Sequence, residues 1–259
     1  ALILSFLSSN SNFGEYLIQH IFLIQSFFID KEVYFSLNAP SWSISNEVFF
    51  YLLFPLIVFL NNRLKFILIF FGIILILYLN YSLKNELQHY WLYISPIVRF
   101  FDFLLGILLF NVFIFLSKNF YKIEGLKSYL EFLAILVFVL FVLFHDSIQI
   151  SYRYSIYYWI PMILVILIFS LSSINGSSGV FGKLLSNKYL VWAGVVSVCF
   201  YLIYLFVITI GYYIVSKFNL NIDLLFMSLV MFVFTLILSG FAYKYVEKPL
   251  NRKIKEKLI

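Results

Sequence analysis

Glu47 heads an otherwise lipid-grade apolar run in PSWSISNEVFFYLLFP, residues 40–55. Carrying a carboxylate into a membrane span is expensive, so such a group marks a functional site by default. In a helix beginning near Ser43, Glu47, Tyr51 and Pro55 recur at spacings of four and share one face. Pro55 cannot complete the helical ladder, and a kink there could open a polar cavity beside that face. Trp42 suits the water–membrane boundary. The plainer alternative is that Glu47 snorkels to the interface while Trp42 anchors the helix.

A second constellation is RFFDFLLG, residues 99–106. Arg99 and Asp102, three apart, can neutralise one another on one helix. Gly106 shares that face and would permit close helix approach. Arg99 could instead bind an anionic group, since a guanidinium matches phosphate or carboxylate, or it could pair with Glu47. Further along, Ser197, Tyr201 and Tyr204 make a hydroxyl-bearing stripe. Such stripes often serve only as hydrogen bonds between membrane helices. In YVEKPLNR, Pro249 should force Lys248 out of helical geometry and end the last span, with Glu247 at its rim as a local salt-bridge partner. His20, His89 and His145 stand singly in or next to loops without metal-ligand spacing, so no metal is expected and they read as interfacial residues.

These residues need a membrane-spanning scaffold. Of 259 residues 63% are hydrophobic and 12% charged, about half the charge of a soluble domain. Apolar blocks at 42–60, 64–81, 96–116, 130–144, 155–172, 190–214 and 224–243 predict an all-α, polytopic transmembrane helix bundle with seven full spans. The 130–144 block is short and would need flanking residues or a locally thinned bilayer. Residues 1–8 read as the end of a further, clipped helix. Residues 13–28, interrupted by Glu15, Gln19, His20 and Gln25, read as an interfacial or re-entrant helix. The chain is expected to form one domain over 1–259: 1–41 outside the bundle, 42–243 spanning, and a basic tail from 244 to 259.

Loop charge sets the orientation. The loops after spans one, three and five and the C-terminal tail hold 13 Lys and Arg residues, the opposite set 4. That bias places the first set and the C-terminus in the cytoplasm, and Glu47 in the outer half of its span. The net charge of +6 is mostly this signal. No basic domain with interleaved aromatics points to nucleic acid. The single cysteine, Cys199, allows no internal disulfide. The loop NGSSGVFG, residues 175–182, lacks the lysine of a phosphate loop and reads as a flexible connection.

In order, SWSISNEVFFYLLFP, RFFDFLLG, VVSVCFYLIYLFV and YVEKPLNR resemble landmarks of the acyltransferase-3 family of integral membrane O-acyltransferases. The resemblance runs over essentially the whole chain. Trp42, Ser43, Glu47, Phe50, Tyr51 and Pro55 match the first landmark, Arg99 and Gly106 the second. Ser197, Tyr201 and Leu202 match the third, where Tyr204 stands in place of a histidine, and Glu247, Pro249 and Arg252 match the last. The resemblance implies transfer of an acyl group, commonly acetyl from acetyl-coenzyme A, to a hydroxyl of a surface polysaccharide or lipid-linked glycan in a bacterial inner membrane. It assigns Glu47 and Arg99 to catalysis. Trp42, Ser43, Tyr51, Asp102, Ser197, Tyr201 and Tyr204 would bind substrate, with Pro55, Gly106, Glu247 and Pro249 as structural positions. Family members carry an N-terminal helix with an arginine and a histidine, and an arginine-rich segment, that this chain does not show. It corresponds to a ten-helix member without its first two and a half helices, and such a piece is expected to be inactive alone. The competing reading is a transporter or flippase of lipid-linked sugars, with Glu47, Arg99 and Asp102 lining a path. Against it, no inverted repeat is visible.

Overall fold

The computed structural model describes residues 14–118, 125–174 and 178–258. Among them every regular element is helical. In chain order the α-helices are α1 (Leu17–Ile21), α2 (Lys31–Tyr34), α3 (Trp42–Val58), α4 (Asn62–Ser82), α5 (Asn85–His89), α6 (Pro96–Ser117) and α7 (Lys127–Leu143). They continue as α8 (Ile150–Tyr154), α9 (Trp159–Ser172), α10 (Val180–Leu185), α11 (Lys188–Lys217), α12 (Leu224–Ala242) and α13 (Lys248–Leu258). Wider π turns at Tyr90–Ile94 and Tyr243–Glu247 join α5 towards α6 and α12 to α13.

Among the described residues six helical segments are long and apolar enough to cross a membrane: Ala39–Val58, Asn62–Ser82, Leu87–Ser117, Ile150–Ser172, Lys188–Lys217 and Leu224–Glu256. The seventh expected span, 130–144, is α7, whose 17 residues reach about 25 Å at 1.5 Å per residue. That is shorter than a hydrocarbon core of about 30 Å. The expected clipped helix, residues 1–8, lies outside the described residues.

The chain divides into two compact units. The larger comprises the described residues of 23–34 and 42–187. Here α3 and α4 pack on α6, α7 and α9 pack together, α9 also packs on α6, and α7 on α10. Ile57, Ile69, Leu104 and Leu108 form one buried apolar cluster, and Ile76, Leu92 and Val98 a second beneath Trp159. Gly72 lets α6 approach α4: a Cβ there would lie 2.6 Å from Phe101 Cε1. Gly106, the expected close-approach residue, meets nothing within 4 Å. The contact falls at Gly72 because Phe101 turns its ring there, while Gly106 lies towards open space.

The described part of the smaller unit comprises residues 14–22, 35–41 and 188–258, and is built on the pairing of α11 with α12. The expected helix over 13–28 is broken: α1 stops at Ile21, and Leu23 takes φ 53°, a left-handed value strained for a leucine. Lys248 also departs from expectation. It keeps α geometry (φ −59°, ψ −45°), and α13 continues past Pro249. Lys248 N–H bonds the Tyr243 carbonyl five residues back, and this widened turn accommodates the proline ring that a regular turn would exclude. The basic tail is therefore a helix, with Leu250 and Ile254 spaced by four and Arg252 paired to Glu256 at 2.7 Å.

Candidate functional site

A proline builds the Arg99 site. Leu92 stands four residues before Pro96, which has no N–H, so the Leu92 carbonyl has no ladder partner there. Arg99 Nη2 donates to it at 2.7 Å and, at the same length, to the Tyr154 carbonyl at the end of α8. Helix-end carbonyls are electronegative and suit a cation. Arg99 Nη1 pairs with Asp102 Oδ2 at 2.8 Å, and Trp159 Nε1 donates to Asp102 Oδ1 at 2.6 Å. One guanidinium thus ties the π turn, α6 and α8, while its carboxylate partner ties α9. Arg99 is first a strut. Only its Nε is buried without a partner.

Beside this strut opens a cavity of about 630 Å³, at the end of the larger unit where α6 and α9 begin and α7 stops. Arg99, Asp102, His145, Arg153, Tyr158 and Trp159 line it. His145 Nδ1 and the Tyr158 hydroxyl share a hydrogen bond of 2.5 Å. That bond engages one imidazole nitrogen and leaves Nε2 without a partner among the described residues. A histidine oriented through one nitrogen and open at the other is the arrangement a general base requires. Gly106 lines the same cavity, which accounts for the open space at its Cα.

Glu47, Tyr51 and Pro55 do share a face of α3, and all three are exposed. Glu47 has no hydrogen-bond or ion-pair partner among the described residues. The three do not line the Arg99 cavity, and Arg99 pairs with Asp102. The buried polar groups of α3 are its neighbours: Ser45 Oγ lies 2.6 Å from Ser26 Oγ, and Asn46 Nδ2 donates to the Ile94 carbonyl at 2.9 Å. Trp42 packs its ring against Tyr93 at 5.1 Å, and Ser43 is half-buried.

In the smaller unit, Ser197 donates to the Gly194 carbonyl of its own helix at 2.7 Å and is exposed. It makes no bond to another helix there. Tyr201 and Tyr204 rings lie 6.2 Å apart, so those members of the stripe stay on one face. Glu247 accepts from Cys199 Sγ at 3.1 Å, a thiol rather than the expected cation, and Pro249 is exposed. His20 is buried, with Nε2 2.8 Å from Ser36 Oγ and Nδ1 3.4 Å from Ser41 Oγ. His89 packs edge-on against Tyr154.

Glu131 is a functional candidate that the local sequence pattern does not mark. It lies inside the apolar α7 and is fully buried. Its carboxylate accepts from the Ser172 hydroxyl, from Gly179 N–H at 2.9 Å and from Gly182 N–H at 3.0 Å. The described part of the 175–182 loop is therefore a cradle at the start of α10 and not merely a flexible connection. A signal existed: a carboxylate four residues after Lys127, and glycines at the third and sixth positions before Leu185. Only the fold shows that they meet. His145 stands next to a loop in the sequence, and its meeting with Arg153 depends on α7 and α9 lying side by side. Among the described residues no three His, Cys, Asp or Glu side chains form a metal-holding group.

Compared with protein families, curated proteins and solved structures, the chain matches none.

Proposed function

We propose that the chain is a multi-pass membrane O-acyltransferase that moves an acyl group, acetyl above all, from acyl-coenzyme A to a hydroxyl of a surface polysaccharide or lipid-linked glycan. The ordered landmarks suggest the reaction class. The observation that carries the reading furthest is the cavity, where a hydrogen-bonded His145–Tyr158 pair faces space beside Arg99 and Asp102.

In this reading His145 Nε2 takes the proton of the acceptor hydroxyl as its oxygen attacks the thioester carbonyl. The carbon–sulfur bond breaks, an ester forms, and the departing thiolate recovers a proton from the imidazolium. General-base assistance of this kind contributes about 10²–10⁴-fold. Tyr158 holds the imidazole, and Trp159 with Asp102 holds the wall beside it. Glu47 and Tyr51, outside this cavity on the exposed face of α3, offer a carboxylate and a hydroxyl to a part of the acceptor away from the reacting hydroxyl. Trp42 and Ser43 flank that face; within the smaller unit, Ser197, Tyr201 and Tyr204 form a hydroxyl stripe of the kind that binds sugars. The membrane is a bacterial inner membrane, with the C-terminal helix on the cytoplasmic side, as the loop charges indicate.

The test is thiol release from acetyl-coenzyme A by the purified protein with glycan acceptors. Acceptor-dependent release that falls with His145→Gln supports the reading. Absence of release, together with glycan export that depends on the gene, would favour the transporter.

A further inference from the structure

We infer that the same cavity is an anion site, with Arg153 its anion-holding cation, so that its ligand carries a phosphate or carboxylate group. Two guanidiniums, Arg99 and Arg153, line it against one carboxylate, Asp102. Arg99 and Asp102 neutralise each other at 2.8 Å. Arg153 has no such partner inside. Its ion pair is with Asp146 at 3.1 Å, and the Asp146 side chain is 97% exposed while that of Arg153 is 19% exposed. An ion pair with so solvated a partner is weak and easily exchanged. Arg153 Nε is buried with no acceptor, an uncompensated donor that a bound oxyanion could satisfy.

The surroundings match an anion. Arg153 stands in the helix that ends at Tyr154, whose carbonyl is already taken by Arg99, so that carbonyl does not compete for Arg153. Tyr158 and Trp159 add a hydroxyl and an aromatic wall. A guanidinium meets phosphate or carboxylate through two parallel N–H donors and holds it more firmly than a point charge does. Rested on the acyl-transfer reading, the acceptor is a glycan bearing a phosphate or an acidic sugar close to the acylated hydroxyl. The anion site itself stands on the cavity's groups and does not require that reading.

Trp159 provides the reporter, since its indole lines the cavity. The protein, in neutral phosphatidylcholine nanodiscs, is titrated with inorganic pyrophosphate while tryptophan fluorescence is followed. A saturable change is expected, absent in Trp159→Phe. Arg153→Gln should weaken the midpoint about tenfold or more, the loss of a charge-assisted hydrogen bond. Asp146→Asn, which leaves Arg153 in place, should tighten it about two- to fivefold by removing the competing surface pair. If Arg153→Gln fails to fold, Asp146→Asn decides. Nanodiscs containing phosphatidylglycerol separate the sources of the anion. If a lipid headgroup fills the site, they raise the wild-type midpoint but not that of Arg153→Gln; if a soluble ligand does, they leave it unchanged. No Trp159-dependent response to pyrophosphate, the wild-type midpoint in folded Arg153→Gln, or failure of Asp146→Asn to tighten binding would overturn the inference. Pyrophosphate binding without acyl transfer would sink the acyltransferase reading and leave the anion site standing.

Discussion

Replacing Gly179 by alanine should destabilise the larger unit although it adds one methyl group. The new Cβ would lie 2.6 Å from Glu131 Cδ and 2.8 Å from Oε1, so the carboxylate must leave its place. An exposed carboxylate would swing aside at little cost. This one is fully buried and held by Ser172, Gly179 and Gly182. Hydrogen bonds to a charged group are worth about 1.5–3 kcal/mol each, so losing one or two costs roughly 3 kcal/mol. At about 2–4 °C per kcal/mol for a domain of this size, Tm in detergent should fall by about 6–12 °C. Thermal unfolding of Gly179→Ala, Glu131→Ala and the double variant measures it. Without the carboxylate the methyl has nothing to displace, so in the Glu131→Ala background it should cost under about 1 kcal/mol. A Gly179→Ala protein within 2 °C of wild type, the shift of only about 0.5–1 kcal/mol, would refute the reasoning. So would an equal loss in both backgrounds.

Other consequences follow from the same geometry. Asp102→Asn leaves Arg99 without its counter-charge and should cost about 2–4 kcal/mol, less than for a fully buried pair because Asp102 is partly exposed; chemical unfolding reads it. Gly72→Ala drives a methyl into the Phe101 ring and should cost about 1–3 kcal/mol, whereas Gly106→Ala meets open space and should stay within about 0.5 kcal/mol. His145→Gln should lower the turnover number for acyl transfer about 10²–10⁴-fold with little change in KM for acetyl-coenzyme A. Tyr158→Phe should reproduce part of that loss, and an unchanged turnover number in both would remove His145 from the chemistry.

Helices were legible because composition and length suffice for them. Long apolar blocks predict spans, and the breaks at Asn61, Ser95 and Asp223 fall where caps or a proline end a ladder. The pairing of Arg99 with Asp102 was legible too, since a spacing of three on one helix brings them together. The rest depended on which helices lie side by side. Nothing local links Arg99 to Tyr154, His145 to the start of α9, or Glu131 to Gly179 and Gly182. Pro249 shows the other limit: its local rule predicts a stop, and one extra residue in the preceding turn removes the clash. Glu47 stood out as a costly charge, yet the buried polar residues of α3 are Ser45 and Asn46, which hydropathy scarcely marks.

The most direct test of the central claim is the O-acyl content of surface glycan, measured by mass spectrometry with the gene intact, deleted and restored. An acyltransferase predicts that the ester disappears on deletion while glycan export continues, and that it returns with the wild-type gene but not with His145→Gln. Unchanged acylation of the exported glycan after deletion would contradict it.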